Sequence, residues 1–412
     1  MRALIFFGRT AAWVLLASIG FAQQGKPTPL KQLVEEVRNQ NPQVIAADRQ
    51  WQVTRFAAKQ AAALPETELM VQQFSVGSPR PFAGYSNSDF AYIGVGAAQE
   101  LPFPGKRALR GQLAGRESDV AQVRTEVARQ DAIQRLALAY FRLAYLQQTL
   151  AFLQENGRTL TDIEQIAESH YRVGQGTQQD VLKAQLQRTK ILSEITMLHR
   201  EVGELQAELK GLLNRPQDSV DIIAEPLQAT VMAALPTAGN SADLQVRRAQ
   251  VTSAEAGTNL AKKDTQPDFT VQYMWQHTAD QFRDYYMATL GVRLPNRGRV
   301  RAAIGEATAK RQQAEAELSA TQRELESEIQ KQNIFLRTSE EQLKIFREGL
   351  VPQSQATLRA STAAYESGKQ DFEALLSAFN DVLRLQIDYL KELADHEMSI
   401  AKLERLTGEV LR

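Results

Sequence analysis

Ile191, Ile195, Leu198, Val202, Leu205, Leu209 and Leu212 recur at steps of four and three residues, with polar positions between them. That spacing predicts a helix with a narrow apolar stripe, the seam of a coiled coil. Upstream the pattern widens. Leu136, Leu143 and Leu150 make one stripe, and Leu146, Leu153 and Leu160 make a second, displaced around the helix. Ala137, Ala144 and Ala151 recur at the same period. Two stripes require two flanking partners, so this helix is expected within a sheet or cylinder of helices. It runs from about residue 106 to 171. At ~1.5 Å per residue it would span roughly 100 Å, more than a compact globular domain needs.

Elsewhere the period is two. Phe269, Val271, Tyr273 and Trp275 alternate with Thr270, Gln272 and Gln276. Tyr286, Ala288, Leu290, Val292 and Leu294 alternate with Thr289, Gly291 and Arg293. Thr67 to Phe74 and Phe90 to Ala98 are weaker versions, diluted by Gly94 and Gly96. Each run is about ten residues, the length of a tilted membrane strand. Aromatic residues gather at the run ends (Tyr85, Phe90 and Tyr92; Phe282, Tyr285 and Tyr286), as in the girdles of membrane barrels. The alternative is a pair of soluble hairpins with one buried face. The connecting segments, Ser75 to Asp89 and His277 to Asp284, are rich in turn formers and carry no chemical motif.

The order of these patterns occurs twice. Tyr171-Arg172-Val173-Gly174 recurs as Tyr365-Glu366-Ser367-Gly368, and Leu101-Pro102-Phe103-Pro104-Gly105-Lys106 recurs as Leu294-Pro295-Asn296-Arg297-Gly298-Arg299. Each copy predicts a helix (about 30–63, then 240–264), two strands, a very long helix (about 106–171, then 299–365) and a glycine break. A returning helix follows (about 177–214, then 371–411). Residues 23–214 thus form a first structural repeat and 240–412 a second. Between them, 215–239 reads as a linker broken by Pro216, Pro226 and Pro236, with one short strand over Val220 to Ile223. The breaks read as hairpin tips. Gly174 is expected to end one helix in a left-handed turn and Thr177 to cap the next.

Four strands cannot close a barrel in lipid. Such barrels start at about eight strands, and an open edge would leave backbone groups unpaired in hydrocarbon. The chain must then oligomerise. Two copies give eight strands and three give twelve, and the wider ring, with room for a water-filled bore, favours a homotrimer. The expected fold is therefore mixed: an outer-membrane β-barrel completed by trimerisation, four strands per chain, joined to a long α-helical barrel of coiled-coil hairpins.

Composition narrows the function. Lys and Arg total 48, as do Asp and Glu, a balance that argues against nucleic acid as partner. Cysteine is absent, which removes disulfides, thiolate metal sites and a cysteine nucleophile. Arg2 and Arg9 flank an apolar start, Ala11 to Ala22 is almost wholly apolar, and Gly20 and Ala22 supply small residues before a cut, so 1–22 reads as a signal peptide. The four histidines, His170, His199, His277 and His396, are too scattered for a metal site. The seven methionines are scattered too and suggest no soft-metal ladder. No zinc-protease, phosphate-loop or nucleophile-elbow motif occurs, so neither an enzyme nor a cofactor is expected.

This arrangement resembles the TolC family of outer-membrane efflux ducts over about 30–411. The most specific residues are Tyr171-Arg172-Val173-Gly174, then Asp180-Val181-Leu182 and Ala184-Gln185, which look like that family's hairpin tip. Leu101 to Arg107 looks most like the branch serving heavy-metal cation exporters. The resemblance implies a homotrimer in the outer membrane of a Gram-negative-type cell, extending into the periplasm. It also implies a periplasmic adaptor and an inner-membrane pump of the RND type as partners. It places adaptor docking at Tyr171, Arg172, Val173, Gly174, Gly176, Ser367 and Gly368. It places a periplasmic gate at Asp180, Tyr365, Gln370, Asp371 and Glu373. Ala374 and Ser377 stand where the family often has aspartates, and Gln370 where a basic residue often completes a tie with Asp180 and Tyr365. A hydrogen-bonded latch is therefore expected here in place of a salt-bridged one. A type I protein-secretion duct keeps this fold with another cargo; a periplasmic coiled-coil scaffold or adaptor keeps the helices without the barrel.

Overall fold

A computed structural model describes residues 26–74, 91–231, 241–278 and 283–411. The signal segment, the whole Ser75 to Asp89 loop with Tyr85, Phe90, and Phe282 lie outside the described residues. Helices α1 (Leu30–Gln40) and α2 (Pro42–Ala62) lead into strands β1 (Glu68–Phe74) and β2 (Tyr92–Leu101). Helix α3 (Lys106–Arg172) has 67 residues and turns back into α4 (Gln178–Leu212). The second repeat runs α5 (Ala242–Lys263), β3 (Asp268–His277), β4 (Tyr285–Arg293), α6 (Arg297–Ile345), α7 (Val351–Glu366) and α8 (Phe372–Thr407).

Two long helices expected to be continuous are interrupted, each at a proline. The helix predicted over 30–63 breaks at Asn41, which is held extended by the following Pro42. Asn41 accepts hydrogen bonds from the Gln43 and Val44 amides and donates to the Leu212 carbonyl, so the start of α2 is tied to the end of α4. The helix predicted over 299–365 contains a π turn, Phe346–Leu350. Pro352 has no amide hydrogen to give the carbonyl four residues back, and its ring crowds that turn. The wider turn, in which the Val351 amide reaches the Phe346 carbonyl, lets the helix pass without a break.

The predicted strand over Val220 to Ile223 does not form. The segment is extended, but its partners are mostly side chains. Gln206 donates to the Ile222 carbonyl and accepts from the Ile222 amide, at 2.7 and 2.9 Å. Gln147 also donates to the Ile222 carbonyl and accepts from the Ala224 amide, both at 3.0 Å. The one main-chain bond comes from the Thr28 amide to the Ile223 carbonyl. Glutamines of α3 and α4 thus do what a neighbouring strand would do.

The helices form a layer. Toward the sheet α2, α3, α5 and α6 lie side by side; toward the tips the neighbours are α4, α3, α8 and α7. Helix α3 belongs to both sets, and its leucines line two successive buried clusters along its length. Leu136 and Leu143 are buried with Leu33, Leu209 and Leu393, whereas Leu146, Leu153 and Leu160 are buried with Ile191, Leu375 and Phe379.

The strands make one antiparallel sheet in the order β1-β2-β3-β4, with β1 and β4 as edges. Register aligns Val71, Val95, Trp275 and Tyr286 across it, and Leu69, Ala97, Tyr273 and Ala288 one step away. This face is unburied: Leu69 is 81% exposed, Val71 74% and Leu290 67%. The opposite face carries Gln72, Gln272, Gln276, Thr270 and Thr289. It also corrects the reading of scattered methionines, because Met70, Gly96, Met274 and Met287 share one cross-strand level there. Sequence spacing hides this alignment, which depends on the pairing of all four strands.

At the foot of the sheet the junctions differ. Gly105 adopts a left-handed φ of 93° before α3, and buried Lys106 reaches Asp268 at 3.0 Å and the Gln266 carbonyl at 2.8 Å. At the equivalent turn Asn296 caps α6, accepting from the Arg299 amide. Among the described residues no helix is long and apolar enough to cross a membrane.

Candidate functional site at the helix tips

Both tips use the same local grammar. Helix α3 ends where the Gly174 amide bonds the Tyr171 carbonyl and the Gln175 and Gly176 amides both bond the His170 carbonyl. Gly174 has φ 76°, a left-handed value that costs a residue with a Cβ roughly 1 kcal/mol or more. Gly176 is constrained differently, because a Cβ there would come within 3.0 Å of the His170 Cβ. Thr177 and Asp180 then form a reciprocal capping box: each accepts the other's amide, at 3.3 and 3.0 Å. At the second tip Gly368 has φ 69°, the Lys369 amide bonds the Ala364 carbonyl, and Asp371 caps α8 through the Ala374 amide.

Tyr365 joins the tips. Its ring is buried, stacked on His170 at 4.8 Å and edge-on to Phe372 at 5.5 Å. His170 is thus one wall of the pocket. Lys183 of α4 pairs with Glu373 of α8, a contact between segments too distant in sequence to be read from spacing. Exposed apolar residues surround this core: Tyr171, Val173, Leu182 and Leu186.

The expected gate residues are not joined into one latch within the chain. Asp180 and Asp371 serve as caps, and Glu373 is paired with Lys183. The Gln370 amide approaches Ser361 at 3.5 Å. The Tyr365 hydroxyl is buried and finds no hydrogen-bond partner among the described residues. Burial, and then the charge of Asp180, raise its pKa above the ordinary tyrosine value.

The sign follows from linkage. With its folded pKa raised, Tyr365 favours the closed pocket as the neutral phenol. That stability is complete below the unfolded value of about 10 and is lost as pH rises through the folded value. Tyr365→Phe removes an unpaired buried hydroxyl, so the pocket should be unchanged or firmer by about 1 kcal/mol. Its alkaline loosening should disappear. Spin-label distances between the tips, followed from about pH 8 to about pH 11, read both effects; a looser Tyr365→Phe tip at neutral pH would show that the hydroxyl holds a partner after all.

Among the described residues no cluster of histidine, cysteine, aspartate or glutamate is placed to hold a metal ion. A cavity of about 860 Å³ is an open trough lined by Ala47, Thr54, Leu113, Ala121, Ala254 and Ala303 of four adjacent helices.

A family model described as outer membrane efflux protein matches residues 33–215 and again 237–409, one match for each structural repeat. No curated protein sequence matches the chain. Among solved structures, the outer membrane protein VceC of Vibrio cholerae is 19% identical with a TM-score of 0.78, covering 93% of this chain and 97% of its own. The open-state MtrE outer membrane channel of Neisseria gonorrhoeae is 16% identical with a TM-score of 0.75, covering 93% and 89%. CusC, whose structures concern folding and transmembrane channel formation, is 15% identical with a TM-score of 0.78, covering 92% of each chain.

Proposed function

Because the chain belongs to the outer membrane efflux protein family, and so is the outer-membrane channel component of an efflux system, we propose that it works as a passive homotrimeric duct. The observation that carries this reading is the four-stranded sheet, apolar on one exposed face and open at both edges. In lipid each edge needs a partner, and β4 of one copy can supply it to β1 of the next. Three copies make a twelve-stranded barrel with the glutamine- and threonine-bearing face turned to a water-filled bore. The helices continue that bore through the periplasm. The chain does no chemistry of its own; an inner-membrane pump, of the RND type, drives the solute.

The tips are where a periplasmic adaptor docks. Tyr171, Arg172, Val173, Gly174, Gly176, Ser367 and Gly368 form the contact surface, supported by the exposed apolar side chains at 171 and 173. Asp180, Tyr365, Gln370, Asp371 and Glu373 set the resting closure. Adaptor binding opens the end only by contacting open and closed tips differently.

Fractionation tests the duct. A heat-modifiable trimer in outer-membrane extracts is expected; a soluble periplasmic pool would support a scaffold instead. Gly174→Val tests docking. Nothing lies within 4 Å of the Cβ position, so the strained φ is the main perturbation, and the altered turn should weaken adaptor assembly and efflux. Efflux equal to wild type at equal abundance would remove docking from this glycine.

A further inference from the structure

We propose that the bore of the barrel carries a thioether site for soft monovalent metal ions, Cu(I) and Ag(I), built from Met70, Met274 and Met287. This inference rests on the reading that three copies close the sheet into a barrel. Three of the chain's seven methionines occupy a single cross-strand level, as Met70, Gly96, Met274 and Met287 on β1 to β4. Residues paired directly across antiparallel strands point to the same side. That side is the polar one, opposite Leu69, Tyr273 and Trp275. The levels above and below it hold Gln72, Gly94, Gln276 and Tyr285, and Glu68, Ala98, Gln272 and Thr289. The three thioethers are thus set among amides, hydroxyls and one carboxylate on the polar face of the sheet, with Met287 exposed and Met274 buried.

The glycines make room for them. At Gly94 a Cβ would lie 3.3 Å from the Met274 sulfur, and at Gly96 it would meet the Tyr273 carbonyl at 2.7 Å and the Met274 Cβ at 3.2 Å. Met274 lies over β2 in the space these glycines leave, and its sulfur accepts from Gln276 Nε2 at 3.4 Å. Met287 is paired beside it on β4 and is 40% exposed. Packing accounts for Met274, which is buried, but not for Met287.

Thioethers are neutral soft donors that select Cu(I) over hard or borderline divalent ions, and Ag(I) shares that preference. The chain has no cysteine, so no thiolate competes to trap the ion. Conduction needs sites that bind well enough to admit an ion and weakly enough to release it. Around the three-fold axis the row repeats, giving a belt of exchangeable donors at one height of the bore. The reading of the cargo becomes specific: soft metal ions are among the solutes this duct passes.

The test is equilibrium dialysis of the purified trimer in detergent against Ag(I), with bound metal quantified. It compares the wild-type chain with Met70→Leu/Met274→Leu/Met287→Leu, which keeps the apolar volume and removes only sulfur. The triple variant should run as a trimer and bind Ag(I) at least about tenfold more weakly, with Zn(II) uptake unaltered. Met287→Leu alone, at an exposed position, should show a partial loss even if the triple variant folds poorly. A variant trimer that binds silver like wild type overturns the belt and leaves the duct standing. A wild-type chain that never forms a trimer overturns both. Equal loss of Zn(II) binding would show that the row is not selective for soft ions and would overturn the assignment as well.

Discussion

Truncating Phe379 to alanine is expected to destabilise the tip half of the helical layer by about 3–5 kcal/mol. The ring is fully buried, in the cluster that contains Leu153 and Leu160 of α3, Leu375 and Leu383 of α8 and Tyr365 of α7. Removing it costs the transfer energy of the aromatic side chain and leaves a cavity that rigid neighbouring helices cannot fill. The damage should be local. Amide hydrogen exchange is expected to accelerate in α7 and the first half of α8, while α2 and the strands keep their protection. Faster exchange spread evenly over the chain would show that the two halves unfold as one unit. A loss below about 1 kcal/mol would place Phe379 in a looser environment than the buried cluster implies.

Arg405→Ala should have the next largest effect, about 2–3 kcal/mol. Arg405 stands near the end of α8, with only 10% of its side chain exposed, and holds Asp131 of α3 and Asp243 in the first turn of α5. Its guanidinium grips Asp243 with two nitrogens, at 2.8 and 3.2 Å, and Asp131 with the third. Alanine leaves two carboxylates facing a vacated space. Both are more than a third exposed, so water and salt screen part of the cost and the full price of a buried pair is not reached. Arg405→Lys should recover little, because an ammonium cannot reproduce the planar fork. Adding Asp131→Asn and Asp243→Asn to Arg405→Ala should recover about 1 kcal/mol or more. Thermal denaturation of the three variants and the wild-type chain at low and high salt decides this; no recovery in the triple variant would mean that lost packing, not stranded charge, dominates.

These residues show which parts of the molecule can be read from the chain alone. The tips were legible because their causes are local. A glycine with left-handed φ, a threonine three residues before an aspartate and the return of helical periodicity lie within a dozen residues. The two-fold repeat and the alternating strands were legible for the same reason, since periods of seven and two survive in any register. The helix interruptions at Pro42 and Pro352 were marked in the sequence, but the apolar pattern runs through both and outweighed them. The predicted strand in the linker failed because an extended backbone needs bonds, not a neighbouring strand. Residues that act across elements stayed hidden: Lys183 with Glu373, His170 against Tyr365, and Arg405 with Asp131. The level shared by Met70, Met274 and Met287 depends on three strand pairings at once, which no spacing rule supplies.

The glutamines that hold the extended linker have a consequence for how this region can vary. Gln147 and Gln206 bond main-chain groups, and every residue except proline offers those groups alike. For the stretch from 222 to 224 the path is therefore specified from two helices, whereas Arg215 on Glu36, Asp221 on Lys210 and Thr230 on Glu397 anchor the linker on either side of it. Between those anchors the segment is exchangeable. Homologous ducts could trade it, or a designer could graft an epitope into its exposed positions, so long as both amides on α3 and α4 remain in place.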